Sequence, residues 1–351
     1  MSRIAVILFN LGGPDNLDSV KPFLRNLFSD PAIITAPAPV RWFLARLISS
    51  RRAAHARSIY AKIGGSSPIR MQTEKQARAL EVALADLGTV KVFPCMRYWH
   101  PFSDQVARIV ADFGPDQVVL LPLYPQFSST TSGSSMNDWH RAAELAGLRA
   151  PERTICCYAR NSGFIAAQVA LTVPLLRAAL DKGPIRLLLS AHGLPKKIIA
   201  GGDPYQWQVE QTCAALVAGL AASGFKDLDW RVCYQSRVGP LEWIGPATED
   251  EIALAGKDGV GVVLVPVAFV SEHSETLVEL DIDYRHLAEK KGIIEYARVP
   301  TVGIHGKFID GLAAMTRNAL SWPDPGARSG GMSDKRCCPD GFAACGHGSA
   351  V

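Results

Sequence analysis

Continuous apolar runs alternate along the chain with longer stretches whose apolar positions recur at helical spacing. Residues 4–9, 90–94, 117–123, 154–158, 185–190, 230–234 and 261–269 predict strands. Several of these runs are apolar at nearly every position, as in a parallel sheet covered on both faces. Residues 73–87 predict a helix with Thr73 as its N-cap, and 103–113, 162–180 and 204–223 repeat the helical pattern. Strand–helix–strand repetition implies right-handed crossovers and a doubly wound α/β architecture.

The chain is also similar to itself. Ile4-Ala-Val-Ile-Leu-Phe-Asn-Leu-Gly-Gly-Pro14 parallels Ile185-Arg-Leu-Leu-Leu-Ser-Ala-His-Gly-Leu-Pro195, and Val118-Val-Leu-Leu-Pro-Leu123 parallels Val262-Val-Leu-Val-Pro-Val267. The offsets of the two pairs differ, so the halves are not simple copies. Two Rossmann-like lobes are expected, over 1–165 and 166–322. After them comes a tail, 323–351, rich in Gly, Pro, Ser and Cys and without helical period. Ligands of open α/β sheets bind beyond the carboxyl ends of the strands, so the strand ends are where chemistry is expected.

Composition narrows the class. Of 351 residues, 48% are hydrophobic and 20% charged, which suits a globular protein with a sizeable core. A net charge of +4 gives no argument for nucleic acid. A strand-like run begins almost at once and no secretory signal is visible, so a cytosolic location is expected, with cysteines kept reduced. Five of the eight cysteines are scattered, while Cys337, Cys338 and Cys345 crowd into the tail.

Candidate chemistry lies at four strand ends. His192 follows an apolar strand and precedes a turn. After the 261–269 strand, Glu275, Glu279 and Asp283 are spaced i, i+4, i+8, and Glu272 lies one turn earlier. On a helix this is a ladder of carboxylates on one face, and no lysine or arginine between Glu272 and Asp283 relieves it. A neutral imidazole beside such a ladder suits either divalent-metal binding or proton relay. No HExxH motif is present, so hydrolysis is less supported. Residues 40–52 place Trp42, Phe43, Leu44, Leu47 and Ile48 among four arginines, which reads as an apolar lip that touches a membrane. The Ser/Thr-rich stretch 128–135 has neither Walker spacing nor its lysine, so nucleotide binding is weakly supported.

These residues, taken together, resemble the ferrochelatases from residue 4 to about residue 320. The matching stretches include Asn10-Leu-Gly-Gly-Pro14, Gly64-Gly-Ser-Ser-Pro-Ile69, Met96-Arg-Tyr-Trp-His-Pro101, Tyr124-Pro-Gln-Phe127, Ser190-Ala-His-Gly-Leu-Pro195, Gly202-Asp-Pro-Tyr205, Tyr234-Gln-Ser-Arg-Val-Gly-Pro240, Trp243-Ile-Gly-Pro246 and the run from Phe269 to Tyr284. The resemblance implies insertion of ferrous iron into protoporphyrin IX, with release of two protons, in a pocket between the lobes. It makes His192 the active-site histidine and Glu275 the carboxylate opposite, these two being the pair that meets iron. Glu279 and Asp283 continue the path, flanked by Glu272 and His273. Leu11, Arg97, Tyr98, Trp243 and Phe269 fall at porphyrin-pocket positions, and the segment at about 36–52 at the membrane-facing lip. The implied partners are protoporphyrin IX, iron, the inner face of the cell membrane and a second copy in a homodimer.

Many members carry a [2Fe–2S] cluster held by three cysteines after the catalytic body and one within it. Cys337, Cys338 and Cys345 match the first three. The internal cysteine of the animal members falls at Ser129, so Cys156 or Cys157 would have to substitute. A zinc site completed by His347 is an alternative. The alternatives in function are a coproporphyrin III or cobalt chelatase, and a non-catalytic haem or metal carrier on the same fold.

Overall fold

The computed structural model describes residues 2–237, 239–324, 326–329 and 336–347. Two parallel sheets organise it. The first contains β1 (Arg3–Asn10), β2 (Thr89–Met96), β3 (Gln117–Pro122) and β4 (Glu152–Ile155). The second contains β5 (Ile185–His192), β6 (Asp229–Gln235), β7 (Gly261–Pro266) and β8 (Tyr296–Arg298). A two-residue strand from the tail, β9 (Arg328–Ser329), adds to the outer edge of the first. The orders are β2-β1-β3-β4-β9 and β6-β5-β7-β8. Apart from β9 the two sheets have one topology. The repeated sequence runs fall on equivalent strands, β1 with β5 and β3 with β7.

Alternation of side chains across a pleat explains why these strands are apolar throughout. In β1, Ile4, Val6 and Leu8 enter a core with Leu80, Phe164 and Leu312. Ala5, Ile7 and Phe9 enter a separate core on the other face with Val106, Val110 and Trp139. In β5, Leu187 and Leu189 pack with Leu216 and Leu220, while Leu188 packs with Ile252 and Tyr284 on the opposite side.

The chain then crosses back. The last helix, Gly306–Leu320, buries Phe308, Leu312 and Met315 in the first sheet's core, not the second's. It packs on the helix Ser162–Leu180 so closely that a Cβ on Gly163 would lie 2.4 Å from the Lys307 carbonyl oxygen. Ser162–Leu180 is long and apolar enough to cross a membrane, but Phe164, Ala167 and Leu176 along it are fully buried in the two cores.

Several elements differ from expectation. The 154–158 strand stops at Ile155 and the 261–269 strand at Pro266. β3 and β7 both end on proline, which has no N–H for the ladder. Thr73 is not an N-cap: the helix runs Ile69–Ala83, and the buried Thr73 hydroxyl donates to the Ile69 carbonyl at 2.8 Å while accepting from Asn10 at 2.9 Å. The strands β8 and β9 are too short to show a period.

Buried glutamines join the halves where the carboxyl ends of the strands face each other. Gln126, beyond β3, donates to the Val267 carbonyl at 3.1 Å and Thr212 at 2.8 Å. Gln76 donates to the carbonyls of Val270 at 2.9 Å and Gly303 at 3.0 Å. Gln208 accepts from the Phe127 N–H at 2.7 Å. Loop carbonyls and amides that no ladder satisfies are paired here by side chains. The Ser128–Ser135 stretch begins in the same seam: Ser128 and Ser129 donate to buried Asp203 at 2.7–3.0 Å.

Candidate active site

His192 is the last residue of β5, and the turn that follows fixes it. Gly193 donates its N–H to the Gln235 carbonyl at 2.8 Å. A Cβ on Gly193 would lie 3.0 Å from that oxygen and 3.2 Å from the Trp243 ring, so any larger residue would crowd this approach. His192 Nδ1 is 2.6 Å from the Gly193 carbonyl oxygen, to which only an Nδ1–H can donate. In the neutral ring that leaves the lone pair on Nε2, on the side of Glu275. The Trp243 ring is 6.5 Å away.

Glu275 faces His192, with Oε1 3.8 Å from Nε2, and its Oε2 is 3.5 Å from His273 Nε2. Both members of the first pair keep about a third of their side-chain surface exposed, 34% and 30%, so they meet solvent or a ligand. Burial raises the Glu275 carboxyl, but the electrostatic attraction of His192 and a hydrogen bond from His273 outweigh it and bring the group down to about 2. His273 is buried, its Nδ1 lacks a hydrogen-bond partner, and its ring packs 4.6 Å from Phe269.

The acidic series runs on a π-helical segment, Glu275–Asp283, not on a regular α-helix. The wider turn still keeps residues four apart near one face, and such segments favour functional sites. Glu279 is surrounded by donors: the Ser236 N–H at 2.9 Å, Ser236 Oγ at 2.5 Å, Tyr284 OH at 3.0 Å and Gln235 Nε2 at 3.2 Å. Burial and the neighbouring Glu275 charge raise its carboxyl despite these bonds. Ser236 adopts φ 61°, a left-handed conformation rare for a non-glycine residue, to deliver both donors. Asp283 ends the series at the surface in an ion pair with Lys62 at 3.1 Å.

Other expected residues are less directly placed. Glu272 turns to Arg298 at 2.6 Å and the Thr301 N–H at 2.9 Å. Arg97 is engaged by Asp30 at 2.9 Å and Ser134 at 2.7 Å. Tyr98 is 1% exposed, its hydroxyl bound to Asp30, so it backs a wall. Leu11 and Phe269 are half-buried, and Leu11 packs beside Tyr98 and Tyr60.

Gln235, Ser236, Tyr284 and Tyr60 were not singled out from sequence. Gln235 and Ser236 end or follow β6, and the strand-end rule applied to that strand would have found them. Tyr60 lies near the end of the helix Ala38–Ala61, whose exposed Trp42 and Phe43 form the apolar lip. Ser274 donates to the Tyr60 hydroxyl at 3.4 Å, and burial, aided by the Glu275 charge, raises that phenol to about 12.

In the tail, Cys337 Sγ is 3.9 Å from Cys157 Sγ and 4.0 Å from Cys338 Sγ. Gln208 Nε2 donates to Cys338 at 3.0 Å and Cys157 at 3.4 Å. Hydrogen bonds from Cys157 and Cys338 draw the Cys337 thiol down, and one from Cys338 draws Cys345 down. Cys156, 3.7 Å from Cys157, shares with it an apolar cluster containing Phe127 and Met136, and it is Cys157 that faces Cys337.

The ferrochelatase family model matches residues 3–320. A ferrochelatase of Caulobacter vibrioides is 54% identical over 321 residues, covering 91% of this chain and 90% of that one. One of Hyphomonas neptunium is 49% identical over 348 residues, covering 98% and 94%, and so extends through the tail. Among solved structures, SirB of Bacillus subtilis with Fe3+ superposes with a TM-score of 0.51 at 11% identity, over 92% of this chain and 96% of that one, which shows a shared chelatase fold. The chain belongs to the ferrochelatase family, the lyases that insert iron into protoporphyrin in haem biosynthesis.

Proposed function

We propose that His192 accepts the pyrrole protons that iron displaces, and that Glu275, Glu279 and Asp283 carry them to solvent. Two porphyrin N–H bonds break heterolytically, the nitrogen lone pairs bind Fe2+, and two protons leave. No electron is transferred. The observation that carries the reading is the pair of unlike carboxylates behind His192. Glu275 is held ionised beside the imidazole, while Glu279 is pushed towards the protonated form. Carboxylates whose environments separate their pKa values divide acid and base roles. Four donors already occupy Glu279, which supports carriage of protons along it more than binding of iron. Trp243, 6.5 Å from the His192 ring, and Phe269, 4.6 Å from the His273 ring, add apolar surface near the pair, suited to a flat macrocycle.

A His192→Ala variant tests this. It should bind protoporphyrin with unchanged affinity, read by fluorescence, and lose metallation. A carrier on this fold would bind and discharge metal with or without His192, and retained turnover would remove the assignment.

The tail supports a [2Fe–2S] cluster held by Cys157, Cys337, Cys338 and Cys345. Thiolates are the ligands such clusters take, and Cys337 lies 3.9 Å from Cys157 and 4.0 Å from Cys338. Iron and acid-labile sulfide should be lost in Cys157→Ser and kept in Cys156→Ser. The opposite result would make Cys156 the fourth ligand.

Membrane contact through the lip is supported by the 57% and 60% exposure of Trp42 and Phe43 beside Arg41 and Arg46.

A further inference from the structure

The helix Tyr205–Ala222 touches both the tail and the active site, and its first turn lies between them. On the tail side, the Gly202 carbonyl accepts from the Ala344 N–H at 3.2 Å. Gly202 has φ 87°, and a Cβ there would lie 2.9 Å from the Ala343 nitrogen, so tail and turn are in close backbone contact. The Trp207 and Phe342 rings pack with centroids 5.8 Å apart, and Gln208 donates to Cys338 at 3.0 Å.

On the other side, Tyr205 is buried and donates its hydroxyl to the main-chain carbonyl of His192 at 2.9 Å. That carbonyl is the last of β5, and Tyr205 reaches it from outside the sheet. Between the two contacts lies Asp203, 1% exposed, which accepts the Tyr205 N–H at 3.0 Å through one oxygen. Through the other it accepts Ser128 Oγ at 3.0 Å and the Ser129 N–H at 2.7 Å. The turn is therefore clamped to the first lobe by Asp203, to the tail by Gly202 and Trp207, and to His192 by Tyr205.

We propose that Tyr205 is a positioning residue for His192, and that the folded tail sets that position through the 202–208 segment. The imidazole follows its own main chain closely, because Nδ1 is bonded to the next carbonyl 2.6 Å away. A shift of the His192 peptide is a shift of Nε2 relative to Glu275 and to the porphyrin nitrogens. The inference rests on the proton-accepting role of His192 given above for its consequence in turnover, but not for its geometry. Loosening the tail relaxes a pin on the active-site histidine without touching substrate.

Ring 13C and 15N resonances of His192, assigned by their loss in His192→Ala, test the geometry directly. Tyr205→Phe removes only the hydroxyl. It should move the His192 resonances and lower kcat about tenfold, as small misplacement of a reacting group does, with KM for protoporphyrin unchanged. Phe342→Ala should move the same resonances in the same direction, and should add nothing further in the double variant. Non-additivity is the signature of one shared route. Unmoved His192 resonances in folded Tyr205→Phe overturn the positioning role. Movement in Tyr205→Phe with none in Phe342→Ala overturns the part given to the tail. If His192→Ala retains turnover, the catalytic reading fails while the resonance result stands apart from it.

Discussion

At the scale of single residues, charge placement separates function from scaffold. Glu272 and Glu275 are three positions apart and look alike in sequence, yet Arg298 engages the first in an ion pair and leaves the second to the histidines. Arg298 bonds Glu272 at 2.6 Å and also pairs with Asp281, and it is 8% exposed. Burial raises Glu272, but Arg298 outweighs it and holds the carboxyl below its ordinary value. A carboxyl lowered in the folded state adds stability that is full above its unfolded pKa and lost as pH falls through the folded one. Arg298→Met leaves the mostly buried Glu272 carboxylate without its cation and should cost about 3–5 kcal/mol at pH 7. The deficit should shrink as pH falls through the carboxylate range, because burial, unopposed in the variant, makes Glu272 protonate there before it does in the parent protein. Urea unfolding of both proteins across pH checks this. A deficit independent of pH would show that packing, not charge, is what Arg298 contributes. The acidic ladder was legible in sequence because its spacing is local. The Arg298 partner, 26 residues from Glu272, was not, since only folding brings β8 beside it.

At the scale of elements, period and burial made the long strands and helices readable, and the joints unreadable. β1 and β5 announce themselves because both faces are covered. The π-helical segment Glu275–Asp283 does not, because its side-chain spacing resembles an α-helix and the difference lies in backbone bonds. The tail cysteines were visible as ligands, but Cys157 is separated from Cys156 only by which one faces Cys337. The lip helix was read as 40–52 and runs on to Ala61, where Tyr60 and Lys62 reach the two ends of the acidic segment. Its apolar end has a separate use. Trp42→Ser with Phe43→Ser removes two exposed aromatic rings and should leave folding and metallation of detergent-dispersed porphyrin intact. Co-sedimentation with anionic vesicles should fall severalfold, and unchanged sedimentation would remove the membrane role.

At the scale of the whole molecule, two lobes of one topology present their strand ends to each other, and each lobe contributes differently. The second supplies His192, Glu279 and the donors from β6. The first supplies Tyr60, Lys62 and the wall around Leu11. The last helix returns to the first sheet, so the lobes are tied by chain crossing as well as by Gln76, Gln126 and Gln208. This crossing was not legible in a linear division at residue 165, because a helix's sequence shows which face is apolar and not which sheet it covers.

The central claim is that protons leave the porphyrin by way of His192 and the carboxylates behind it. Stopped-flow mixing of ferrous iron with the porphyrin-loaded protein, anaerobically in weak buffer, can follow haem absorbance and a pH indicator together. Two protons should appear per haem in step with the haem bands. In Glu279→Gln both signals should slow together by about tenfold or more, with porphyrin affinity unchanged. Glu279→Gln forming haem and releasing protons at the unaltered rate would contradict the account.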